Sequence, residues 1–307
     1  MAHHQFTPDH YHTAIGSHEP VLEIAPGDTV STTTVDARGG DASGATVTER
    51  GNPQTGPFYI TGAEPGDTLV ITLDELKPNR PTGFTGLRIA PNVLDHGYVP
   101  QFGDGLGDGT AQWAVDTEKG TARLMSPEGP LTGIELDLDP MIGCFGVAPP
   151  RRQAISCATS DTHGGNMDYR GFRQGVKVYF PVAVEGALFH LGDGHAVQGD
   201  GEIVGTGIEI SFDVTFTADL IKDKRIGWPR AENDEYLMAV GNARPLDQAL
   251  QHATTELVEW LQTDYGMDAR TVHMLLGQVV EYDVGNVFDP AYTMVCKVAR
   301  KYVEQLS

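Results

Sequence analysis

Residues 202–220, EIVGTGIEISFDVTFTADL, carry the clearest fold signal in the sequence. Apolar side chains occupy every second position from Ile208 to Phe216, and β-branched or aromatic residues fill much of the stretch. Such alternation is typical of a β-strand with one face in a hydrophobic core. The stretch therefore predicts one long strand, or a bent pair of strands, in a β-sandwich.

Short strand patterns separated by turn residues recur through the first 230 residues. The tetrapeptide PGDT occurs at 26–29 and again at 65–68, each time before a β-branched run. Proline fixes φ and glycine accepts a positive φ, so each unit predicts a turn that starts a strand. The repeat suggests a duplicated β unit. The segment VKVYFPVAV, residues 176–184, is apolar at both parities and is expected to be buried on both faces.

The last quarter of the chain changes to helical periodicity. Residues 245–266 place Leu250, Leu257 and Leu261 on one helical face, between a proline and a glycine. A second helix is expected over 268–282 with Asp268 as its N-cap, and a strand over 291–298. The sequence thus predicts a mainly β protein, β-sandwich or jelly-roll-like with two β units, and a small α/β C-terminal part. The expected division is 1–230, with the two β units meeting near 130–150, and 231–307 packed on it.

Composition narrows the classes of partner. The chain has 307 residues, 40% hydrophobic, and no run approaching the ~20 apolar residues of a membrane span. Its net charge of −21 would repel nucleic acid and anionic lipid, so neither partner is expected. The first residues, MAHHQFTPDHYH, lack the basic and apolar regions of a secretory signal. These features predict a soluble cytoplasmic protein.

The three cysteines, Cys144, Cys157 and Cys296, form no CxxC motif. Their odd number and wide spacing argue against a disulfide framework or a zinc ribbon. Cys157 lies six residues before His163, so it is either a small core residue or a catalytic nucleophile.

Two polar, glycine-flanked segments could build one site. The first is SDTHGGNMD, residues 160–168, and the second is LGDGHAVQGDGE, residues 191–202. An intervening strand or hairpin could carry both to one rim of a sheet, and Asp36 in TTTVDARGG could add a third acid. One histidine and several carboxylates per segment suit a divalent cation such as Zn²⁺. His195 is favoured over His190 as a ligand, because His190 lies in an apolar segment and five residues separate the two.

Other polar stretches leave their roles open. The pairs Gly164–Gly165 and Gly39–Gly40 could offer backbone N–H groups to an oxyanion or simply form tight turns. Five histidines within the first 18 residues could form a metal-binding arm, although a frayed polar terminus is expected. The loop FGDGLGDGT, residues 102–110, lacks the EF-hand pattern and is expected to be a surface loop, with Ca²⁺ binding as the alternative.

Several motifs together resemble the acetamidase/formamidase family. They are GPFYITGAEPGDTLVITL, HGGNMD, FPVAVEGALFHLGDGHAVQGDGE and TDYGMD with a downstream DP, in an order that covers about residues 20–298. The resemblance implies hydrolysis of the C–N bond of small amides with release of ammonia. It also implies a metal-associated site and an oligomer, a homodimer or larger. The segment CATSDTHGGN departs from the family pattern, so a cyclic imide or another small amide is an alternative to formamide and acetamide.

The resemblance also implies a polar cluster, and each member can be given a hypothetical role. Asp36, His163 and His195 would hold the ion, Zn²⁺ in the first instance and Ca²⁺ as the alternative. Glu202 would move protons, while Asn166, Gly164 and Gly165 would face the substrate oxygen. Asp168 and Asp200 would orient the histidines.

An alternative hypothesis, from a different functional class, is that the protein is a calcium-dependent β-sandwich module that binds a ligand without catalysis. Such a module would need exposed aromatic platforms, whereas Trp113, Trp228 and Trp260 are scattered and Trp260 lies on an apolar helical face.

Overall fold

A computed structural model describes residues 1–102 and 109–306. Strands make up 39% of the structure and helices 15%, so the prediction of a mainly β protein is confirmed. Most of the glycine-rich loop at 102–110 lies outside the described residues. Within the described chain, no helix combines the length and the apolar composition needed to cross a membrane.

Sheet I contains nine strands within the described ranges, antiparallel except for the pair β1–β4. In spatial order they are β1 (His3–Gln5), β4 (Asp28–Thr33), β18 (Phe212–Ile221), β6 (Thr68–Pro78), β15 (Lys177–Pro181), β19 (Arg230–Glu232), β20 (Tyr236–Ala243), β22 (Tyr292–Ala299) and β21 (Glu281–Asn286). Strands from both sides of residue 230 therefore share this sheet. The division into regions 1–230 and 231–307 stays a prediction.

Sheet II contains eleven strands of the described chain. The main path is β10 (Glu135–Asp137), β9 (Thr121–Ser126), β8 (Ala111–Asp116), β7 (Thr82–Thr85), β17 (Glu209–Ile210), β16 (Phe189–His195), β11 (Met141–Gly146), β14 (Gly164–Asn166) and β13 (Ser160–Asp161). Strand β5 (Thr55–Ile60) joins β16, and β3 (Leu22–Ile24) joins β5 in parallel. A separate small pair is formed by β2 (Ala14–Ile15) and β12 (Ile155–Ser156).

The core lies between the two sheets, and residues 208–221 cross from one sheet to the other. Of the two alternatives for 202–220, the structure has the bent pair: β17 belongs to sheet II, β18 to sheet I, and Ser211 joins them. The alternating apolar side chains of this stretch are all buried, as predicted. Phe216 packs edge-on against both Phe58 and Phe189, with ring centroids 5.2 Å apart in each pair.

The two PGDT units form matching turns. Gly27 and Gly66 both have positive φ, 86° and 105°. In each turn the aspartate carboxylate, of Asp28 or Asp67, accepts the backbone N–H three residues before it. Both units connect a strand of sheet II to a strand of sheet I, and β4 and β6 flank β18.

Helix α1 (Leu246–Tyr265) covers the outer face of sheet I over β20 and β22. It ends at Gly266, whose φ is 65°, as the sequence indicated. Its buried face carries Glu256, which forms an ion pair of 2.6 Å with buried Arg230. Helix α2 (Ala269–Val279) begins at Asp268, whose carboxylate accepts the N–H of Thr271 at 2.9 Å.

Some local expectations were wrong. Strand β15 is buried on one face only, because Lys177 is exposed and Tyr179 and Pro181 are half-buried. The helix expected over 268–282 ends at Val279, and β21 follows it. The N-terminus is not frayed, since β1 pairs with β4. The described part of the chain also contains helix α3 (Arg300–Val303) and short 3-10 turns at Pro91–Val93, Val99–Phe102 and Pro150–Arg152.

Candidate functional site

Strand β11 brings the two glycine-flanked segments together. It pairs with β14 on one side and β16 on the other, so Cys144 is opposite both Asn166 and Gly192. The strand between the two segments, β15, belongs to sheet I and forms no hairpin with β16. Gly143 of β11 leaves room for the site, because a Cβ atom there would overlap the Asp168 carboxylate and lie 3.0 Å from Asp193 Oδ2.

A cluster of carboxylates around one histidine, called the acidic centre here, lies beside β11 and β16. It supplies three overlapping groups of ligand atoms, each group lying within 4.8 Å. All its members are buried except half-buried Asp289. The members are Asp168, Asp193, His195, Glu202, Glu209 and Asp289.

His195 is held so that one ring nitrogen faces the acids. Its Nδ1 donates to Gln198 Oε1 at 2.7 Å, and Gln198 in turn donates to the backbone oxygen of Asp168 at 2.5 Å. Its Nε2 lies 2.9 Å from Glu209 Oε1 and 3.5 Å from Asp193 Oδ1. Burial alone would lower the pKa of His195, but Glu209 and Asp193 outweigh it and raise that pKa well above its usual value.

Amide side chains bridge the carboxylates. Asn286 Nδ2 lies 2.7 Å from Asp168 Oδ2, 2.8 Å from Glu202 Oε2 and 2.9 Å from Asp289 Oδ2. Asn166 donates to the same Asp289 oxygen at 2.5 Å. Since one amide nitrogen carries two hydrogens, Asn286 partly compensates three acids but cannot fully satisfy them.

Four acids of the centre, Asp168, Glu202, Glu209 and Asp289, have raised pKa values and hold protons more tightly than ordinary carboxyls. Burial, reinforced by neighbouring acids, raises the pKa values of Asp168 and Glu202 well above the usual range. Burial is also the largest cause that raises the pKa of Glu209 to about 7 and that of Asp289 to about 6.

The donor set of the acidic centre fits a divalent cation. Asp168 Oδ1 and Glu209 Oε2 are buried without a hydrogen-bond partner. His195 Nε2 and Asp193 Oδ1 lie within ion-pair distance of neighbouring groups but form no well-aligned hydrogen bond. Buried polar atoms in proteins are nearly always satisfied, and an unsatisfied one costs about 1–3 kcal/mol. The fixed Nδ1–H of His195 is the arrangement that metal-ligating histidines adopt.

The structure brings four predicted site residues together and separates the others. Asn166, Asp168, His195 and Glu202 lie in or against the acidic centre. Asp36 instead forms a buried ion pair of 2.5 Å with Arg80 and accepts the backbone N–H of Gly40. Asp36 is not among the three groups of ligand atoms.

The remaining predicted residues lie at the edges of this region. Asp200 is exposed and pairs with Arg170 at 3.6 Å. His163 is buried, both ring nitrogens lack partners, and burial lowers its pKa to about 4. Gly164 and Gly165 lie in β14 with φ near 91°, between β11 and β13. The roles assigned to these residues stay predictions.

Sequence reasoning missed part of the acidic centre. Asp193 was visible in LGDGH, whereas Glu209, which lies between two apolar residues of the alternating run, was not predicted as a site residue. Asn286 and Asp289 are more than 80 residues further along the chain than Glu202. Their signal was the downstream DP, residues 289–290, which spacing alone could not link to the site. Cys157 is fully buried and packs with Ile15 and Cys144.

Comparisons with known proteins identify the family and the fold of this chain. The chain belongs to the acetamidase/formamidase family, whose sequence model matches residues 2–154 and 151–298, so the resemblance inferred from the motifs is confirmed. It is similar to the acetamidase of Yersinia enterocolitica, with 32% identity, 98% of this chain and 93% of that chain covered, and a TM-score of 0.83. The acetamidase of Bacillus halodurans gives 28% identity, 99% coverage of both chains and the same TM-score.

Curated relatives match over a shorter span. A formamidase of Methylophilus methylotrophus is 28% identical over an alignment of 211 residues, with 55% of this chain and 51% of that protein covered. The chain thus spans about half the length of the curated relatives it matches.

Proposed function

We propose that this protein hydrolyses the C–N bond of small aliphatic amides to a carboxylate and ammonia, at the acidic centre. The observation that carries the proposal is the convergence of Asp168, His195 and Glu202 in a chain of the acetamidase/formamidase family. Relatives are named formamidase and acetamidase, which supports small primary amides as the substrate class. A cyclic imide is the alternative substrate. Assembly as a homodimer or larger oligomer and a cytoplasmic location stay predictions.

Asp168, Asp193 and His195 are the residues best arranged to hold a divalent cation. Two oxygen ligands and one imidazole nitrogen favour Zn²⁺ over Ca²⁺, which prefers six to eight oxygen ligands. Such an ion would supply Lewis acidity for the amide carbonyl. This set shares His195 with the set expected from the sequence.

Glu202 is the residue best suited to proton transfer. Its buried carboxyl has a raised pKa, so it holds a proton more readily than an ordinary glutamate. Glu202 would accept a proton from the attacking water and deliver it to the amide nitrogen, so that the C–N bond breaks as ammonia forms. Asn286, bonded to Glu202 Oε2, would fix the direction of this carboxyl.

The proposal is tested by ammonia release from formamide, acetamide, propionamide and succinimide, with and without a chelator. Glu202→Gln should lower the rate of ammonia release by about 100-fold or more. The exposed helical variant Glu259→Gln is the matched control and should keep turnover. Chelator-sensitive turnover supports the metal-assisted form; chelator-resistant turnover keeps an amidase without the ion. No turnover on all four substrates by metal-loaded protein would contradict the proposal.

A further inference from the structure

A second group of buried polar atoms lies around His190 of β16 and is not part of the acidic centre. His12, His18 and His190 pack together and are called the histidine cluster here. The rings of His12 and His18 stack with centroids 3.8 Å apart, and His190 stands across both, at 6.1 Å from His12 and 5.7 Å from His18. His10 extends the group toward solvent, 5.3 Å from His12.

The histidine cluster is built by segments far apart in sequence. His190 is in β16 opposite Gly146 of β11, and His12 bridges to Gln54. Gln54 donates to the backbone oxygen of Asn52, and Asn52 donates to Asp193 Oδ2 at 3.2 Å. Two amide side chains therefore stand between the histidine cluster and the acidic centre.

Two buried nitrogens of the cluster have no protein partner. His190 is fully buried, and its Nε2 is unpaired; the Nε2 atom of His12 is also buried and unpaired. Burial lowers the pKa of His190 to about 3 and that of His12 to about 4, so both rings are neutral at pH 7. Neutral imidazoles present lone pairs, which a borderline cation binds well.

In two of the three rings, the other nitrogen is oriented as in metal-ligating histidines. His190 Nδ1 donates to the backbone oxygen of Leu188 at 3.0 Å, which leaves Nε2 for a ligand. His18 Nε2 donates to the backbone oxygen of Ala14 at 2.9 Å, which leaves Nδ1. A bond from the second nitrogen to a carbonyl fixes the tautomer of a ligating histidine.

The ring spacing is close to that of a zinc site. With Zn–N bonds of about 2.0–2.1 Å, two imidazoles in a tetrahedral shell have centroids roughly 5–6 Å apart. The distances from His190 to the other two rings are close to this range, whereas the His12–His18 stack is too tight. Among the described residues, the three histidines do not bring one nitrogen each to within 4.8 Å of one another. The stacked rings of His12 and His18 must therefore rotate apart when they bind an ion.

From these observations we propose that His12, His18 and His190 form a second metal site, separate from the acidic centre, which takes a zinc-like transition-metal cation. The site differs in chemistry from the acidic centre, because its ligands are nitrogen alone. It would therefore select Zn²⁺, Co²⁺ or Ni²⁺ and reject Ca²⁺ and Mg²⁺.

Metal stoichiometry of the full chain tests the proposal independently of turnover. Chelator-stripped protein is titrated with Zn²⁺ by calorimetry and with Co²⁺ by visible absorption. The wild type should bind two ions per chain. His190→Asn and His18→Asn should each bind one, and His195→Asn should lose the other ion. His273→Asn, exposed on α2, is the control and should bind two.

His18 is only half-buried, so His18→Asn carries the test if His190→Asn does not fold. X-ray absorption on zinc-loaded His195→Asn should show a nitrogen-rich shell. Two ions in both cluster variants, or a single ion in the wild type that His195→Asn removes, would overturn the proposal. Water alone in the cluster of a zinc-soaked crystal would also overturn it.

Discussion

At the scale of single residues, the acidic centre depends on uncharged side chains. They hold its carboxylates in position without neutralising them. Asn286 is fully buried and places its amide nitrogen against three carboxylates. An amide can do this without adding charge, and it leaves the remaining acid oxygens free for a cation.

Replacing Asn286 by aspartate should destabilise the protein when the cation is removed. The change swaps two donors for a further negative charge among buried acids, so the free energy of unfolding should fall by about 1–3 kcal/mol. Urea unfolding in chelator at pH 8 measures it, and saturating Zn²⁺ should shrink the loss. Gln251→Glu adds the same charge on exposed α1, and an equal loss there would contradict the argument.

Gly143 should tolerate no side chain. A Cβ at this position overlaps the Asp168 carboxylate, so Gly143→Ala should displace it and lower kcat/KM for the best amide by about 100-fold. Gly129→Ala meets open space and should leave kcat/KM unchanged. A Gly143→Ala enzyme with wild-type kinetics would show that the carboxylate position is not needed.

The sequence predicted part of the site because some residues lie in compact glycine-flanked motifs, such as Asp168 and His195. It could not predict that Asp36 pairs with Arg80, since the partner of a buried charge is decided by tertiary packing.

At the scale of elements, sequence periodicity predicted the strands and helices whose sequences are strongly amphipathic. The alternating run ending in β18 and the helix α1 both lie where expected, and Asp268 is the N-cap of α2. Strands β20 and β21 were missed: YLMAVGNA is apolar without alternation because sheet I is covered on both faces there, and EYDVGN is short and polar.

Helix α2 contains a glycine that the structure does not require. Gly277 is exposed within the helix, has no positive φ, and leaves open space around a Cβ. Gly277→Ala should therefore raise the free energy of unfolding by about 0.5–1 kcal/mol. Urea unfolding measures the gain, and turnover should not change. A loss of stability would mean that α2 makes a contact through this face.

At the scale of the whole molecule, the buried acids should set how stability depends on pH. Above about pH 7.5, buried histidines with lowered pKa values, such as His12 and His163, are almost entirely neutral in both folded and unfolded chains and have little effect. The raised pKa values of Asp168, Glu202 and Glu209 mean that the folded chain binds more protons than the unfolded one.

The free energy of unfolding of chelator-treated protein should therefore fall as pH rises from about 7.5 to about 9. Urea titrations at several pH values measure the slope, which Glu202→Gln should reduce. Saturating Zn²⁺ should reverse the trend, since a cation favours the ionised acids. A flat profile in chelator, equal in wild type and variant, would contradict the prediction.

The crossing of β17 into β18 has a consequence for how the molecule opens. Glu209 of the acidic centre is three residues from Phe212 in the other sheet, and no loop separates them that could absorb a displacement. The sheets cannot part locally without breaking the continuous backbone pairing. Deuterium uptake by the backbone amides around residues 209–216 should thus proceed only through global unfolding. The substrate must then reach the site by movement of the segments that cover the sheet, and not by separation of the two sheets.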